Sequence, residues 1–487
     1  MDVKEWILQP ESEYRFELDA GTSLAITARA AQVVRGTAEV FGAELASRRT
    51  YIFGHECKAA VFTWEGCTLE MSPLAVYMSD ETNMWTAANL HVLFEKMRIR
   101  ARRVQRDSPA PHANGDGPAH PPRVLILGQE NSGKTSMCKI LTNYAVRTGV
   151  SRSPIVVNLD PGEGGWTVPG TLSACPISDP ILTSTPASPF GTTATSAPTA
   201  TSSSALVPLT FWFGHQETRR NMKLLERLIS RLAAGVDARI EHDPSAKISG
   251  TIIDTPASFA LAVSTSGPKE VKHPLVKACV EAFHVNHILV TGNEKLYVEM
   301  QRMFDHNSGV SVIKIPKSGG VVELDFAYRD RVHSQQLHAY MYGTKIDLPP
   351  GISESSLGGE ASHDLTLSPH SSSISFDDLK IYRVGGADSM APSSALPIGA
   401  GRMISEVQPI AVDPSTPGSG LLNAVLALLA PTASKSTDEN LVDRNVAGFL
   451  VITAVDIPAR KMTVLSPVTG SLTGRIALVG SLEWQDT

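Results

Sequence analysis

The 487-residue chain is poor in cysteine and poor in charge. Its five cysteines, Cys57, Cys67, Cys138, Cys175 and Cys279, are scattered, with no CxxC pair. That spacing argues against a disulfide framework or a zinc site and predicts buried thiols in a reducing compartment. Charged residues make up 19% of the chain, below the usual quarter, and hydrophobic residues 42%. A chain with that balance buries a sizeable core and is not disordered as a whole. Lys and Arg number 43 against 49 Asp and Glu, a net charge of −6, so binding of nucleic acid would need a local basic patch. The opening MDVKEWILQPESEYRFELD has no apolar leader segment, so a secretory signal is not expected. No run approaches the ~18–20 apolar residues that a membrane-spanning helix needs. There is no internal repeat, and at about 150 residues per domain the length suggests three domains.

What is present divides along the chain. Residues 12–76 read as short strands at roughly ten-residue spacing, rich in β-branched and aromatic residues, which predicts a small β-sandwich or barrel. A helix follows over about 82–106, with Leu90, Leu93 and Met97 on one face. Its end is basic, through Lys96, Arg98, Arg100, Arg102, Arg103 and Arg106. Such a run suits a solvated helix C-terminus; an RNA contact or nuclear-import patch is the sharper alternative. Together 1–106 form the expected N-terminal domain, and the Pro/Gly-rich 107–122 a linker.

From 123 to 345 apolar runs (VLIL, IVVNLD, SGTIID, HILVTG, VSVIKI) alternate with helical stretches at 134–148, 221–235 and 274–284. Strand, helix, strand in that order predicts an α/β core with a parallel sheet. More than half of residues 171–204 are Ser, Thr or Pro, which reads as a loop insertion, centred on about 183–205, without a core of its own. Residues 346–375 read as a flexible connection and 376–487 as a small, mostly β C-terminal domain with loose loops at 386–396 and 412–420.

The strongest signal is Gly128-Gln-Glu-Asn-Ser-Gly133-Lys134-Thr135, a GxxxxGK[ST] loop with an apolar strand before it and an amphipathic helix after it. Gly128 and Gly133 let the backbone turn its N–H groups inward onto a phosphate, and the helix N-terminus adds partial positive charge. Lys134 brings a full charge to the β- and γ-phosphates, and Thr135 offers a hydroxyl to Mg²⁺. A carboxylate is needed beside that metal. Asp160 and Asp254 both end apolar runs, where the carboxyl edge of a parallel sheet would lie; either could instead be a turn residue or helix cap. Asp160 ranks first, because the Gly-rich Pro161–Gly165 stretch follows it. The absence of an NKxD tetrapeptide tilts the nucleotide from GTP to ATP.

Several stretches carry a resemblance that spans almost the whole chain: EYRFEL (13–18), AEVFGAEL (38–45), KAAVFTWEGC (58–67), GQENSGKTS (128–136), NLDPGEG (158–164), VPGTL (168–172), KIPKSGGVVE (314–323) and NVAGFLVITAVD (445–456). With these the sequence resembles the cleavage-and-polyadenylation factor subunit family that shares its core with RNA-specific polynucleotide 5′-hydroxyl kinases, the ATP-binding subunit of the fungal-type cleavage factor IA. The resemblance implies an N-terminal β domain, a P-loop core and a C-terminal domain. It implies ATP and Mg²⁺ as ligands, with Glu13 and Lys58 as N-terminal-domain contacts beside the loop residues Gly128, Asn131, Ser132, Gly133, Lys134, Thr135 and Ser136. It implies a nuclear location and a role in pre-mRNA 3′-end cleavage. The expected partners are a scaffold subunit that also binds the RNA polymerase II C-terminal domain, other 3′-end processing subunits, and RNA.

Active kinases of the family keep an aspartate where Asp160 stands, for Mg²⁺ and the attacking hydroxyl. They also carry an RNA-clasping tryptophan where this chain has Ser258, and an ERLY…R lid where it has Glu294-Lys295-Leu296-Tyr297 and Arg302. Base stacking on an aromatic is worth ~1–3 kcal/mol, and lysine cannot offer arginine's bidentate fork. The expectation is therefore an ATP-binding subunit without catalysis. The alternative is an active 5′-hydroxyl kinase in which Asp160 is base or metal anchor, Lys134 stabilises charge, and Lys295 with Arg302 forms the lid.

Overall fold

Two antiparallel sheets open the chain in the computed structural model. It describes all residues except 1–3, 30–35, 72–76, 107–119, 150, 197–206, 263–271, 306–308, 358–362, 386–406, 432–437 and 486–487. One sheet runs Lys4–Leu8, Cys67–Met71, Ser23–Arg29, Thr50–Gly54. The other runs Ala43–Leu45, Ala38–Val40, Lys58–Thr63, Ser12–Glu17, Tyr77–Ser79. Alternating side chains such as Leu24, Ile26, Phe53, Val61 and Leu69 meet between them, so this is the expected sandwich. The helix Met84–Arg106 then packs it onto the core through part of the expected face, Leu90 buried and Met97 against the same cluster. Ala87, Leu90, Phe94, Arg98 and Ala101 are buried, whereas Leu93 is exposed. Arg98 is no part of a solvated basic patch: it is 1% exposed and donates from Nε to Ser249 O at 2.9 Å. The linker expected at 107–122 falls almost wholly outside the described residues.

The central sheet has seven strands in the order Leu209–Trp212, Thr171–Pro176, Ile155–Asn158, Thr251–Asp254, Arg123–Gly128, His287–Thr291, Ser311–Ile315. The last five are parallel; the first two extend the sheet antiparallel. Val124, Leu125, Ile126 and Leu127 are fully buried, as a strand covered on both faces requires. The chain moves to opposite sides of Arg123–Gly128 before and after the strand pair that flanks it, so the crevice of this α/β sheet lies at that strand's carboxyl end.

The Ser/Thr-rich insertion needs correction. Ahead of the insertion expected at about 183–205, the Ser/Thr/Pro-rich stretch begins as the sheet strand Thr171–Pro176. Residues 177–196 are irregular, as composition suggests, but Ile181, Thr183, Thr185, Ala187 and Phe190 are buried. Ile177, Ile181 and Phe190 join the core, with Phe190 stacked on Trp166, and hydrogen bonds add to this: Asn143 on the loop helix exchanges hydrogen bonds with the Ile181 backbone at 2.6 and 2.9 Å, and Thr195 donates to Tyr340 O at 2.8 Å. Residues 197–205 lie outside the described residues. The connection 346–375 is also more structured than composition suggests. Gly343–Lys345 pairs with Asp364–Thr366, Ile346 and Leu357 pack on Ala25 and Ile52 of the sandwich, and His370–Ser375 is an edge strand of the C-terminal sheet.

That C-terminal sheet has seven strands in the order His370–Ser375, Lys461–Ser466, Val446–Asp456, Ala424–Leu429, Arg475–Glu483, Leu379–Arg383, Ile410–Val412. It docks on the core where Phe449 meets Trp212 and Tyr340, with ring centroids 5.6 and 5.4 Å apart; such pairs contribute roughly 0.5–1.5 kcal/mol each. The backbones touch there as well: a Cβ on Gly480 would lie 2.0 Å from Gly214 O. Of the loose loops expected in this domain, 386–396 lies outside the described residues.

Candidate functional site

The loop after Arg123–Gly128 is shaped by its glycines. A Cβ on Gly128 would fall 2.5 Å from Ser132 Oγ, so only glycine allows the tight return. Gly133 has φ +84°, in the left-handed region, immediately before the helix Lys134–Val146. Asn131 is also left-handed, at φ 50°. Ser132 is buried and its hydroxyl donates to Gln129 O at 2.8 Å. Lys134 is 9% exposed and folds back over the loop to donate to the same carbonyl at 2.9 Å. Ser136 lies half-buried in the first helical turn.

Thr135 makes contact with only one of the two candidate aspartates. Its hydroxyl donates to Asp254 Oδ2 at 2.6 Å, with Glu163 Oε2 at 3.2 Å as a second acceptor. Asp254 ends the strand beside the loop strand, opposite Ile126 in register. Asp160 does not touch Thr135; its Oδ1 accepts from Gly162 N at 2.9 Å. Of the two aspartates weighed from the sequence, the lower-ranked one makes the direct contact, because it sits on the adjacent parallel strand. Asp160 lies two residues beyond the end of the next strand. Glu163 went unnoticed: a glutamate in a Gly-rich loop carries no local signal, and only the turn Asp160–Gly165 brings it to Thr135.

The three carboxylates are uneasy together. Burial, and then the charge of Glu163, push both Asp160 and Asp254 up to about 7. Lys134 opposes the shift at both, and at Asp254 so does the Thr135 hydrogen bond. Concentrated, poorly compensated negative charge beside a threonine hydroxyl fits a divalent cation, and a buried lysine bonded only to a loop carbonyl fits an anion. Among the described residues no cluster of three or more His, Cys, Asp or Glu side chains would by itself hold a metal.

A helix that sequence periodicity did not reveal closes over these loops. Phe326–Tyr342 is capped by Asp325, whose side chain accepts from Tyr328 N at 2.7 Å. Over its first three turns one face carries Arg329, His333 and Gln336, at offsets 0, 4 and 7. Arg329 Nη2 donates to Asn131 Oδ1 at 2.6 Å and pairs with Glu130 Oε1 at 3.0 Å. His333 bonds the Gly162 backbone, and Gln336 Nε2 donates to Glu163 O at 2.9 Å. Because this face meets loops rather than a hydrophobic core, it is polar and leaves no 3.6-residue apolar pattern.

The N-terminal residues are near but engaged. Glu13 is 6% exposed and bonded to Arg15 and to Thr82 Oγ1. The 318–321 loop joins it to the site: a Cβ on Gly320 would lie 2.8 Å from Arg15 Nε, and Val321 lies 3.1 Å from where a Gly133 Cβ would be. Lys58 Nζ donates to Glu17 at 2.9 Å and sits 5.5 Å from the Tyr328 ring centre.

The opposite side is sparse. Ser258 Oγ accepts from Thr218 at 2.7 Å on the short turn Ala257–Ala260. Lys295 and Arg302 lie exposed on the helix Glu294–Phe304, which is anchored in the core by Leu296, Met300 and Phe304. Among the described contacts, none joins Lys295 or Arg302 to the phosphate loop.

Three family models match the chain: "N-terminal beta-sandwich domain of polyadenylation factor" over residues 7–101, "mRNA cleavage and polyadenylation factor CLP1 P-loop" over 128–343, and "Pre-mRNA cleavage complex II protein Clp1" over 367–486. The chain is 56% identical to the mRNA cleavage and polyadenylation factor CLP1 of Laccaria bicolor, covering 100% of this chain and 98% of that one. It is 35% identical to the factor of the same name from Mycosarcoma maydis, with 98% of each covered. It is 34% identical to the protein CLP1 homolog of Anopheles gambiae, covering 99% and 97%. Two solved structures share the fold at 24% identity. One is a wild-type Clp1p–Pcf11p complex, with a TM-score of 0.79 over 100% of this chain and 99% of that one. The other, at 0.77 over 99% of each, concerns an extended Pcf11p–Clp1p interface and the structural basis for ATP loss in a glycine-to-arginine point mutant.

Proposed function

The chain belongs to the Clp1 family of mRNA cleavage and polyadenylation factors, and from that membership we propose that it is an ATP-binding, non-catalytic subunit of the nuclear pre-mRNA 3′-end cleavage machinery. The observation that carries this reading is the contrast within the site. Lys134 lies folded over the loop and Thr135 bonds Asp254, while among the described residues Ser258, Lys295 and Arg302 supply no assembled acceptor side. The loop from Gly128 to Ser136 would take the phosphates. Thr135 and Asp254 would hold Mg²⁺, with Asp160 and Glu163 beside them. A bound Mg²⁺ supplies charge neutralisation for the phosphates and for these carboxylates. Glu13 and Lys58 remain proposed nucleotide contacts from the sandwich side. On this reading the partner is a Pcf11-type scaffold subunit, the one that also binds the RNA polymerase II C-terminal domain, as the two related structures contain Clp1p with Pcf11p.

ATP here is a structural ligand. It stabilises by RT ln(1 + [L]/Kd), about 2.7 kcal/mol at one hundred times Kd. Nucleotide extracted from freshly purified protein should be intact ATP, and incubation with labelled ATP and a 5′-hydroxyl oligoribonucleotide should leave the RNA unlabelled. Retention of Asp160 beside the site keeps the kinase reading in view. Robust labelling that Asp160→Ala abolishes would replace the non-catalytic reading with that one.

A further inference from the structure

We propose that Arg329 reads the terminal phosphate of the bound nucleotide and transmits its presence to the helix on which all three domains converge. The proposal rests on the ATP-binding reading above and adds a residue and a regulatory role to it. Arg329 Nη2 bridges Glu130 and Asn131, the third and fourth residues of the phosphate loop. Its Nε is buried and has no hydrogen-bond partner among the described residues. Its charge also acts on Asp160 across the site. A guanidinium with a spare N–H, tied to the loop only by a 63%-exposed glutamate and one amide, is poised for a stronger anion. Phosphate oxygens match its planar fork better than a solvated carboxylate does.

The same helix carries the consequence outward. Toward the sandwich, Arg331 pairs with Glu56 at 2.7 Å and Tyr328 donates to Glu56 O at 3.2 Å. Toward the metal corner, His333 and Gln336 hold the backbone of Gly162 and Glu163. Toward the C-terminal sheet, Tyr340 packs on Phe449, and Ser334 accepts from Trp484 Nε1 at 3.2 Å. A nucleotide that engages Arg329 therefore tightens one rigid element that each domain grips, whereas a diphosphate leaves Arg329 on Glu130.

The test uses full-length protein and calorimetric titration with Mg-ATP and Mg-ADP. Wild type should prefer ATP. Arg329→Ala should lower ATP affinity at least tenfold with ADP affinity unchanged. Glu130→Gln, an exposed change that merely releases Arg329, should keep or increase the ATP preference. Equal loss for both nucleotides in Arg329→Ala, no loss for either, or a Glu130→Gln variant that mimics Arg329→Ala would overturn the proposal; the last would make the pair a structural latch. Should Arg329→Ala fail to fold, Arg329→Lys carries the test, and wild-type discrimination there would overturn it. Hydrogen exchange over 326–342 should slow with ATP more than with ADP in wild type; equal protection would refute the relay. Wild type that binds neither nucleotide would sink the ATP reading itself, an outcome distinct from all of these.

Discussion

The two sides of the candidate site are built differently. On the nucleotide side, each functional group is buried or held by a second element: Lys134 by Gln129, Thr135 by Asp254, Asp160 by Gly162, and the Asp160–Gly165 turn by His333 and Gln336. On the acceptor side, Lys295 and Arg302 stand in solvent on a helix whose buried face belongs to the core. A binding site persists when its geometry is over-determined by neighbours. Catalysis of a bimolecular transfer needs both reactants held, and positioning alone can supply ~7–11 kcal/mol of its barrier. On the proposed reading, one well-held side and one loose side suit a receptor for ATP rather than a transferase.

The harshest way to break that contrast is to remove the charge that anchors the phosphates. Lys134→Ala should weaken ATP binding by roughly 10- to 100-fold, since a hydrogen bond to a charged group contributes ~1.5–3 kcal/mol. The ATP-induced rise in melting temperature should collapse with it, and calorimetry that finds unchanged affinity would remove Lys134 from the site. Next comes the carboxylate order. Asp254→Asn should reduce the Mg²⁺ dependence of ATP binding more than Asp160→Asn does, because of the two aspartates it is Asp254 that bonds Thr135. The sign for stability is opposite. A folded pKa of about 7, raised from 3.8, means that the ligand-free fold loses stability as pH rises from about 4 through 7. Asp254→Asn should therefore raise the apo melting temperature at pH 8 while impairing Mg-ATP binding. A drop at pH 8 would show that Asp254 stabilises the empty fold.

A smaller effect concerns the seam between core and C-terminal sheet. His215 bonds Ser481 Oγ at 2.8 Å and Gly385 O at 3.2 Å, and burial lowers its pKa below the ordinary 6.5. Its neutral form is the folded form, so its contribution is present above 6.5 and lost as pH falls through the lower folded value. His215→Gln should flatten that acid-side loss in thermal melts between pH 7 and 5; an unchanged slope would assign it to other buried histidines. The least effect is expected on the loose side. Lys295→Ala should leave ATP affinity within the ~0.5 kcal/mol range of an ordinary surface change, and a clear loss in a titration would place Lys295 in the nucleotide site after all.

The chain's own order of residues determined a great deal. The apolar run VLILG, two glycines at the required spacing, and Lys-Thr opening a helix specify a phosphate loop locally, since strand, turn and helix preferences all agree within a dozen residues. Alternating strands announced the sandwich and the parallel core for the same reason. Tertiary structure decided what depends on distant segments meeting. Asp254, and not Asp160, bonds Thr135 because strand order places it beside the loop strand. Glu163 reaches Thr135 through a turn whose composition is silent. The Ser/Thr-rich 177–196 stretch is held by Ile177, Ile181 and Phe190 in the core as well as by hydrogen bonds from distant segments, and the helix Phe326–Tyr342 presents polar residues to two loops. Hydrophobic periodicity records only which face meets oil-like neighbours; where an element's neighbours are polar backbone, its place emerges only once the chain has folded.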